Sequence, residues 1–477
     1  MKTYNYSKLL NTERERKSTV KRTSAIEEIY SDRSRILYCS SLRRLQQKAQ
    51  VFSLEPNASI RTRLTHSLEV TDLGRTLASK VTSRLVDESL INREEAQTFI
   101  AIVENACLLH DIGNPPFGHF GECAIRDWAK KKMKDSIPPD LKSVVPYEKL
   151  DILLKDFYEF DGNPQGFRTI TKLQTEHDEH SLNLTYATLA CTLKYSRAAG
   201  EEKDEGILKK AGYFQSEKDL VERIHEKLGL QRHSRYPFTY IMEAADDIAY
   251  CMSDISDGIE KRILTEEEFL RAFAREWKSN YPYEELPVNV PKTDMKGFNR
   301  DVSIPWSKAA MDEACDNYFL HHKDVYDGTY GSLLSKDGKM GKVIDVVKQV
   351  SRRILYTSIE AESIELTGYA VISGILDKYS RLLKLPRKTF EQMTIDSSKA
   401  TDVDIERRLY NRLGKHFVQA YQYAMEKHKS DYWSTMNTEE FEWWLRTHLI
   451  VDHVSGMTDE FALQTYQMLT GIELMRT

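Results

Sequence analysis

The chain has 477 residues, 40% hydrophobic and 30% charged, and carries a net charge of −5. That length supports a large core and two to four domains, and the acidic balance excludes binding to nucleic acid through overall charge. The six cysteines Cys39, Cys107, Cys123, Cys191, Cys251 and Cys315 form no CxxC pair, so nothing points to a disulfide framework or a thiolate zinc site. No apolar run approaches the ~20 residues that a membrane span requires, and the polar N-terminus lacks the apolar core of a signal peptide. The expectation is a cytoplasmic protein with no membrane partner.

Residues 1–60 form an N-terminal segment ahead of the first long helical pattern. Apolar positions at helical spacing predict helices over 69–86 and 93–110, and in the second Phe99, Val103, Ala106 and His110 share one face. The breakers Gly113-Asn114-Pro115-Pro116 end that pattern, and a helix over 119–134 follows. Residues 135–235 read as an insertion. A long helix over 237–262 starts through Pro237. The stretch 281–305, with Pro282, Pro287, Pro291 and Pro305, opens a connecting region that runs to 340. Long helical patterns return over 340–477. Strand signals are few, and no internal repeat stands out. The expected fold is therefore mainly α, with a core over 61–280, a connection over 281–340 and a helical C-terminal region over 341–477.

Three strings carry chemistry: Arg61-Thr62-Arg63-Leu64-Thr65-His66, Leu109-His110-Asp111-Ile112-Gly113-Asn114 and Glu243-Ala244-Ala245-Asp246-Asp247-Ile248-Ala249-Tyr250. A hydrolytic metal site needs a few nitrogen and oxygen ligands on rigid elements, with positions left open for water and substrate. Two histidines and two aspartates from separate helices meet that need. A lone histidine on an apolar helix face is ordinarily a packed core residue; the order His, His-Asp, Asp with a turn soon after the pair is what favours a metal. Asp246, Tyr250 and Asp254 recur every four residues and share one helix face. Asp247 lies about a hundred degrees away. That face reads equally as a solvated acidic stripe.

The order His66, His110-Asp111, Asp246 resembles the HD phosphohydrolase superfamily. Longer strings resemble its bacterial dGTP triphosphohydrolase branch: Asp32-Arg33-Ser34-Arg35-Ile36, Lys48-Ala49-Gln50-Val51-Phe52, Thr62 to Val70, the thirteen residues from His110 to Glu122, Gly162 to Arg168, Ala244 to Tyr250 and Ser455-Gly456-Met457-Thr458-Asp459. The likeness runs from about residue 30 to about residue 470. It implies an HD-type helical core and splitting of dGTP, or of deoxynucleoside triphosphates more broadly, into nucleoside and inorganic triphosphate. His66, His110, Asp111 and Asp246 are then the ligands of a divalent ion. Mg²⁺ or Mn²⁺ comes first, with Fe²⁺, Co²⁺ or Ni²⁺ also suited.

The same likeness assigns the phosphoryl chemistry to His119 and Glu122, which stand three apart at a helix start, where a carboxylate orients an imidazole. His119 is the candidate general acid; nearness to the attacking water would make it a base. Lys194-Tyr195 and Lys209-Lys210 match positions that face the triphosphate. Asn163 matches a substrate-side position, beside Asp161 where the family commonly has Glu. Gln50 and Val51 resemble residues lining the deoxyribose and its 3′-hydroxyl. Tyr250 resembles the ring that stacks on the sugar where a 2′-hydroxyl would clash, and Asp254 is expected near the same pocket.

Partners implied by the likeness are a homo-oligomer, commonly a hexamer, and single-stranded DNA. The basic tracts Arg14–Arg22 and Lys130–Lys134 bear on the latter, although charge runs are usually solvated faces. The cluster Glu176-His177-Asp178-Glu179-His180 has metal-like composition but no apolar backing, and reads as solvated. His225, His233, His321, His322 and His453 show no partner pattern. Two other functions compete: another HD-type nucleotide phosphohydrolase, and a nucleic-acid-binding assembly protein with a secondary or inactive site.

Overall fold

The computed structural model describes residues 4–176, 178–289, 297–396, 402–427 and 436–473, with backbone alone at 147–149. Helices α1 (Ala25–Tyr38), α2 (Arg63–Asp87) and α3 (Arg93–Leu109) open the fold. The expectation of a mainly α protein holds. Among the described residues β pairing is confined to two isolated bridges, Ala49 with Thr62 and Ala198 with Tyr213.

Thr62 explains why α2 begins ahead of the expected 69. Its hydroxyl accepts the Thr65 N–H, and the Thr65 hydroxyl accepts the Thr62 N–H. This reciprocal cap satisfies donors that a helix start otherwise leaves orphaned. It also places His66 in the first turn of the helix. Asn92 and Glu95 cap α3 in the same way. The expected apolar face of α3 is buried, with Phe99, Val103 and Ala106 fully covered, and His110 stands at its C-cap.

Next come α4 (Gly118–Lys132), α5 (Gly162–Lys172) and α6 (Thr239–Glu260). Val70, Leu77 and Val81 of α2 pack with the α3 face and with Ile241, Ala245 and Ile248 of α6, all fully buried in one core. Each buried Val, Leu, Ile or Phe side chain among them contributes about 1.5–3 kcal/mol of transfer free energy. The ends of α2, α3 and α6 are thereby fixed relative to one another.

The expected boundaries do not follow the packing. The first core runs from the N-terminal segment (Ile29, Ile36) through the presumed connection (Phe298, Trp306, Ala310) to Leu355. Residues 297–320 form a π-helical turn, Asn299–Ser303, and then α7 (Ile304–Leu320). Pro305 lies in the first turn of α7, where a missing N–H costs nothing. Pro291 lies outside the described residues. Helix α8 (Lys339–Ile354) joins this core.

Helices α9 (Ile359–Leu383), α10 (Thr438–Ser455) and α11 (Asp459–Thr470) form a second core. There Ile372 and Leu376 of α9 and Ile450 and Val454 of α10 pack with Ile125 and Trp128 of α4. Helix α4 is thus bound on its apolar side to the C-terminal helices, while its first turn points back toward His110. No described helix is long and apolar enough to cross a membrane.

Candidate metal centre and active-site cavity

Four side chains converge from the first turn of α2, the C-terminal end of α3 and the interior of α6. His66, His110 and Asp111 each offer a ligand atom, all within 4.8 Å of one another. Asp246 Oδ1 lies 3.5 Å from His66 Nε2 and 3.6 Å from His110 Nε2, and Asp111 Oδ1 lies 3.6 Å from His110 Nε2. Adjacent ligands about 2.1 Å from one ion stand about 3 Å apart, so a small inward closure suffices to bind a cation. Asp247, one residue on, turns away to Lys348 at 2.9 Å.

The donor set fits a metal ion. Among the described residues His66 Nδ1 and Nε2 and His110 Nε2 are buried without a hydrogen-bond partner, an arrangement that costs free energy unless something else occupies the nitrogens. His110 Nδ1 lies 2.8 Å from the Cys107 carbonyl oxygen. A carbonyl only accepts, so Nδ1 carries the proton and Nε2 presents its lone pair inward. Asp111 is braced by Arg63 Nη1, 2.8 Å from its Oδ2, and by the Asn114 amide.

Electrostatics keep the carboxylates ionised. Burial pushes Asp246 toward its neutral form, but Lys194, His110 and His66 outweigh it and hold the group well below the usual range. Burial likewise opposes Asp111, and Arg63, His110 and His66 hold it down. His66 is disfavoured as a cation by its burial, yet Asp246 and Asp111 raise it above its ordinary value. The centre is therefore a pocket of negative charge that favours a positive charge within it.

A cavity of about 540 Å³ opens over this centre, lined by His110, Asp111 and Asp246 on the metal side. His119 and Glu122 stand on another wall, with His119 Nδ1 3.1 Å from Glu122 Oε2. The imidazole is largely exposed, whereas Glu122 is buried and also accepts the Gly162 N–H at 2.8 Å. The dyad is thus anchored at its acid end, while the outer His119 Nε2 has only the Cys123 thiol near it, at 3.9 Å.

Gln50, Val51, Asn163, Lys194, Lys210 and Tyr250 also line the cavity. Lys194 Nζ donates to Asp246 Oδ2 at 3.2 Å, and Lys210 Nζ to Asp161 Oδ2 at 2.6 Å. Asp161 caps α5 and accepts the Asn163 side-chain amide at 2.6 Å, so the shorter carboxylate is an organising group. Gln50 Oε1 is buried without a partner.

Two expected pocket residues do not reach the wall. Tyr195 is buried, and the cavity lining passes it by; Lys209 stands over its ring at 5.7 Å. Asp254 is fully buried behind the cavity, where the Tyr356 hydroxyl donates to it and meets the Tyr250 hydroxyl in turn. One more turn of α6 carries Asp254 below the surface that Tyr250 occupies.

Several wall residues were not singled out from sequence. Arg63 stands three before His66 in a quoted string, and that spacing is a usable signal. Lys348, Arg352 and Tyr356 come from α8 and the turn after it. Their four-residue spacing is visible, but nothing local ties them to α6.

Other expected features resolve differently. Arg14 is buried against Asp32 and Glu28, Arg16 pairs with Asp178, and Arg22 with Glu28. Lys131 pairs with Asp127 and Lys132 with Asp377. Arg14 and Arg22 are thus tied into the fold, whereas Arg16, Lys131 and Lys132 sit in partly exposed pairs. Of the acidic decoy, His177 lies outside the described residues. Glu179 and His180 line a second cavity of about 670 Å³ that holds none of the expected site residues. Among the described residues no further metal-ligand cluster forms. His322, His233 and His453 do have partners, in Tyr6, Glu201 and Tyr379.

The HD domain family matches residues 63–151, and the phosphohydrolase-associated domain matches residues 377–468. A deoxyguanosinetriphosphate triphosphohydrolase of Enterobacter sp. (strain 638) is 36% identical, over 93% of this chain and 94% of its own. The protein of that name from Cronobacter sakazakii is 35% identical, and that from Yersinia pestis (strain Pestoides F) 34%, over the same shares. The helical architecture, the convergence of His66, His110-Asp111 and Asp246, and likeness over nearly the full length agree: the chain belongs to the HD-domain hydrolase family of the deoxyguanosinetriphosphate triphosphohydrolases.

Proposed function

We propose that the chain hydrolyses dGTP to deoxyguanosine and inorganic triphosphate. One observation carries this reading: a single cavity joins the His66–His110–Asp111–Asp246 centre, the His119–Glu122 pair and a row of cations, in a chain whose relatives bear that activity in their names. His66, His110, Asp111 and Asp246 would hold a divalent ion, and this set of two imidazole nitrogens and two carboxylates accepts Mn²⁺ or Mg²⁺, with Fe²⁺, Co²⁺ or Ni²⁺ also suited. Such an ion supplies Lewis-acid polarisation of phosphate oxygens.

The chain's own groups do the rest. Water attacks the α-phosphorus and the nucleoside 5′-oxygen leaves. Negative charge builds on the phosphate oxygens, and Lys194, Lys210 and Arg352 present positive charge along the wall. Arg352 has no ion-pair partner among the described residues. The departing oxygen needs a proton, and His119 supplies it from the nitrogen that Glu122 leaves free. On the sugar side, Gln50 offers its unpartnered Oε1 to a hydroxyl. Tyr250, fixed by Tyr356, offers a ring against which a 2′-hydroxyl would clash.

The test is product analysis. Each of the four deoxynucleoside triphosphates and GTP is incubated with protein and Mg²⁺ or Mn²⁺. Tripolyphosphate with deoxyguanosine, and little turnover of GTP, is expected. Pyrophosphate or orthophosphate as product would overturn the reading. Equal turnover of all four deoxynucleotides would replace it with a broad-specificity enzyme.

A further inference from the structure

Ser455-Gly456-Met457-Thr458-Asp459 plays no part in the chemistry above, although the string closes α10 and opens α11. Its polar groups reach into the catalytic half from the C-terminal core. Asp459, only 3% exposed, receives two backbone N–H groups: Phe117 N donates to Oδ1 and Ala49 N to Oδ2, each at 3.0 Å. Lys48, 4% exposed, donates from Nζ to the Ser455 carbonyl at 2.9 Å and to the Asn114 carbonyl at 2.6 Å. Neither Lys48 nor Asp459 lines the cavity.

The three catalytic-half residues so held are well placed. Asn114 donates its side-chain amide to Asp111. Ala49 precedes Gln50 and Val51. Phe117 stands two before His119 and has φ +58°, a left-handed conformation that side chains with a β-carbon rarely adopt. Surrounding contacts must enforce it. Asp459 bonds its N–H, and Gly368 of α9 meets its ring side: a β-carbon on Gly368 would come 2.4 Å from the Phe117 Cβ.

We infer that Asp459 and Lys48 are positioning residues, a latch by which the 455–459 turn sets the backbone beneath the metal loop, the His119–Glu122 pair and Gln50 together. A carboxylate bridging two backbone N–H groups is a strong, directional tie. Misplacement of about 1 Å far from the chemistry costs about a hundredfold in rate. As a role in catalysis the latch rests on the proposed hydrolysis, but the tie itself is testable without turnover.

The decisive variant is Asp459→Asn, which keeps volume and one acceptor but turns an amide group against a backbone N–H. Three quantities are measured on the full chain: hydrogen exchange at peptides holding Ala49 and Phe117, Mn²⁺ stoichiometry, and kcat and KM with dGTP. Exchange at both peptides is expected to accelerate, with Mn²⁺ stoichiometry unchanged. kcat is expected to fall about 10- to 100-fold with KM within about threefold, and Asp459→Glu to regain part of the loss. Wild-type exchange at both peptides would overturn the latch, whatever the activity. Faster exchange with unchanged kcat would overturn its role in catalysis. Wild-type protein without turnover would overturn the proposed hydrolysis, and the exchange result would still decide the latch. If Asp459→Asn does not fold, Lys48→Met carries the same test from the other side of the turn.

Discussion

At the residue scale, His110 shows how the centre is prepared before any cation arrives. Its Nδ1 proton is committed to the Cys107 carbonyl, so Nε2 faces His66 and Asp246 with its lone pair. Asp246 is the keystone, since one of its oxygens lies within 3.6 Å of both imidazoles. Asp246→Ala is therefore expected to lose bound Mn²⁺, measured by elemental analysis after gel filtration, and to drop activity at least about a thousandfold; retained stoichiometric metal would refute the ligand assignment. Asp254 carries a pH signature. Burial lifts its carboxyl to about 7, Asp257 adds to the rise, and Tyr356, Tyr250 and His66 oppose it. Its folded value exceeds the unfolded one, so its contribution to stability is full below about pH 4 and is lost as pH rises through about 7. Asp254→Asn removes that loss. Its thermal midpoint relative to the wild type should rise between pH 4 and pH 7.5, by the equivalent of roughly 1–4 kcal/mol; a difference independent of pH would contradict the burial argument. The residues that converge at the candidate metal centre were legible as residue types in sequence order. Tyr195 and Asp254 lie behind the cavity wall, because family position says which side of a pocket a residue serves, not whether its side chain reaches the wall.

At the element scale, backbone closeness sets the site. The metal loop lies on α5 so tightly that a β-carbon at Gly113 would meet Gly166 N at 2.0 Å and Gly162 O at 2.2 Å. Both neighbours are backbone and cannot swing aside. Gly113→Ala is accordingly expected to destabilise the protein by about 3 kcal/mol, with weaker Mn²⁺ binding, because the loop carries His110 and Asp111. Unchanged stability and metal affinity would show that the loop can lift off α5. Helical periodicity placed α3 and α6 to within a few residues, because their apolar faces are continuous. It missed the first turn of α2, where Arg63, His66 and Ser67 are buried polar groups and the pattern looks like loop. Polar residues buried for chemistry are invisible to a reading based on apolar spacing. The Gly113–Gly162 approach was equally hidden, since glycines far apart in sequence give no local sign of contact.

At the scale of the whole molecule, two apolar cores meet around the cavity. The first carries the candidate metal ligands on α2, at the C-terminal end of α3 and on α6, and Lys348 and Arg352 on α8. The second holds α4, and with it His119 and Glu122, against α9 and α10. On the proposed function, groups held by two cores must keep register, which is the part inferred for the 455–459 turn. The sequence-based boundary at 340 fell inside the first core because the proline-rich stretch before it looked like a linker. The protein's cations also read differently at this scale: Arg14, Arg16 and Arg22, a basic tract in sequence, are absorbed by Glu28, Asp32 and Asp178. What remains distinctive is the cavity that joins the His66–His110–Asp111–Asp246 cluster to a row of cations and the His119–Glu122 pair. Hydrolysis of dGTP in ¹⁸O-labelled water with Mn²⁺, followed by mass spectrometry of both products, tests the claim that this cavity directs water to the α-phosphorus. The expected result is one ¹⁸O atom in tripolyphosphate and none in deoxyguanosine. Label in the nucleoside, or label in released orthophosphate or pyrophosphate, would contradict it.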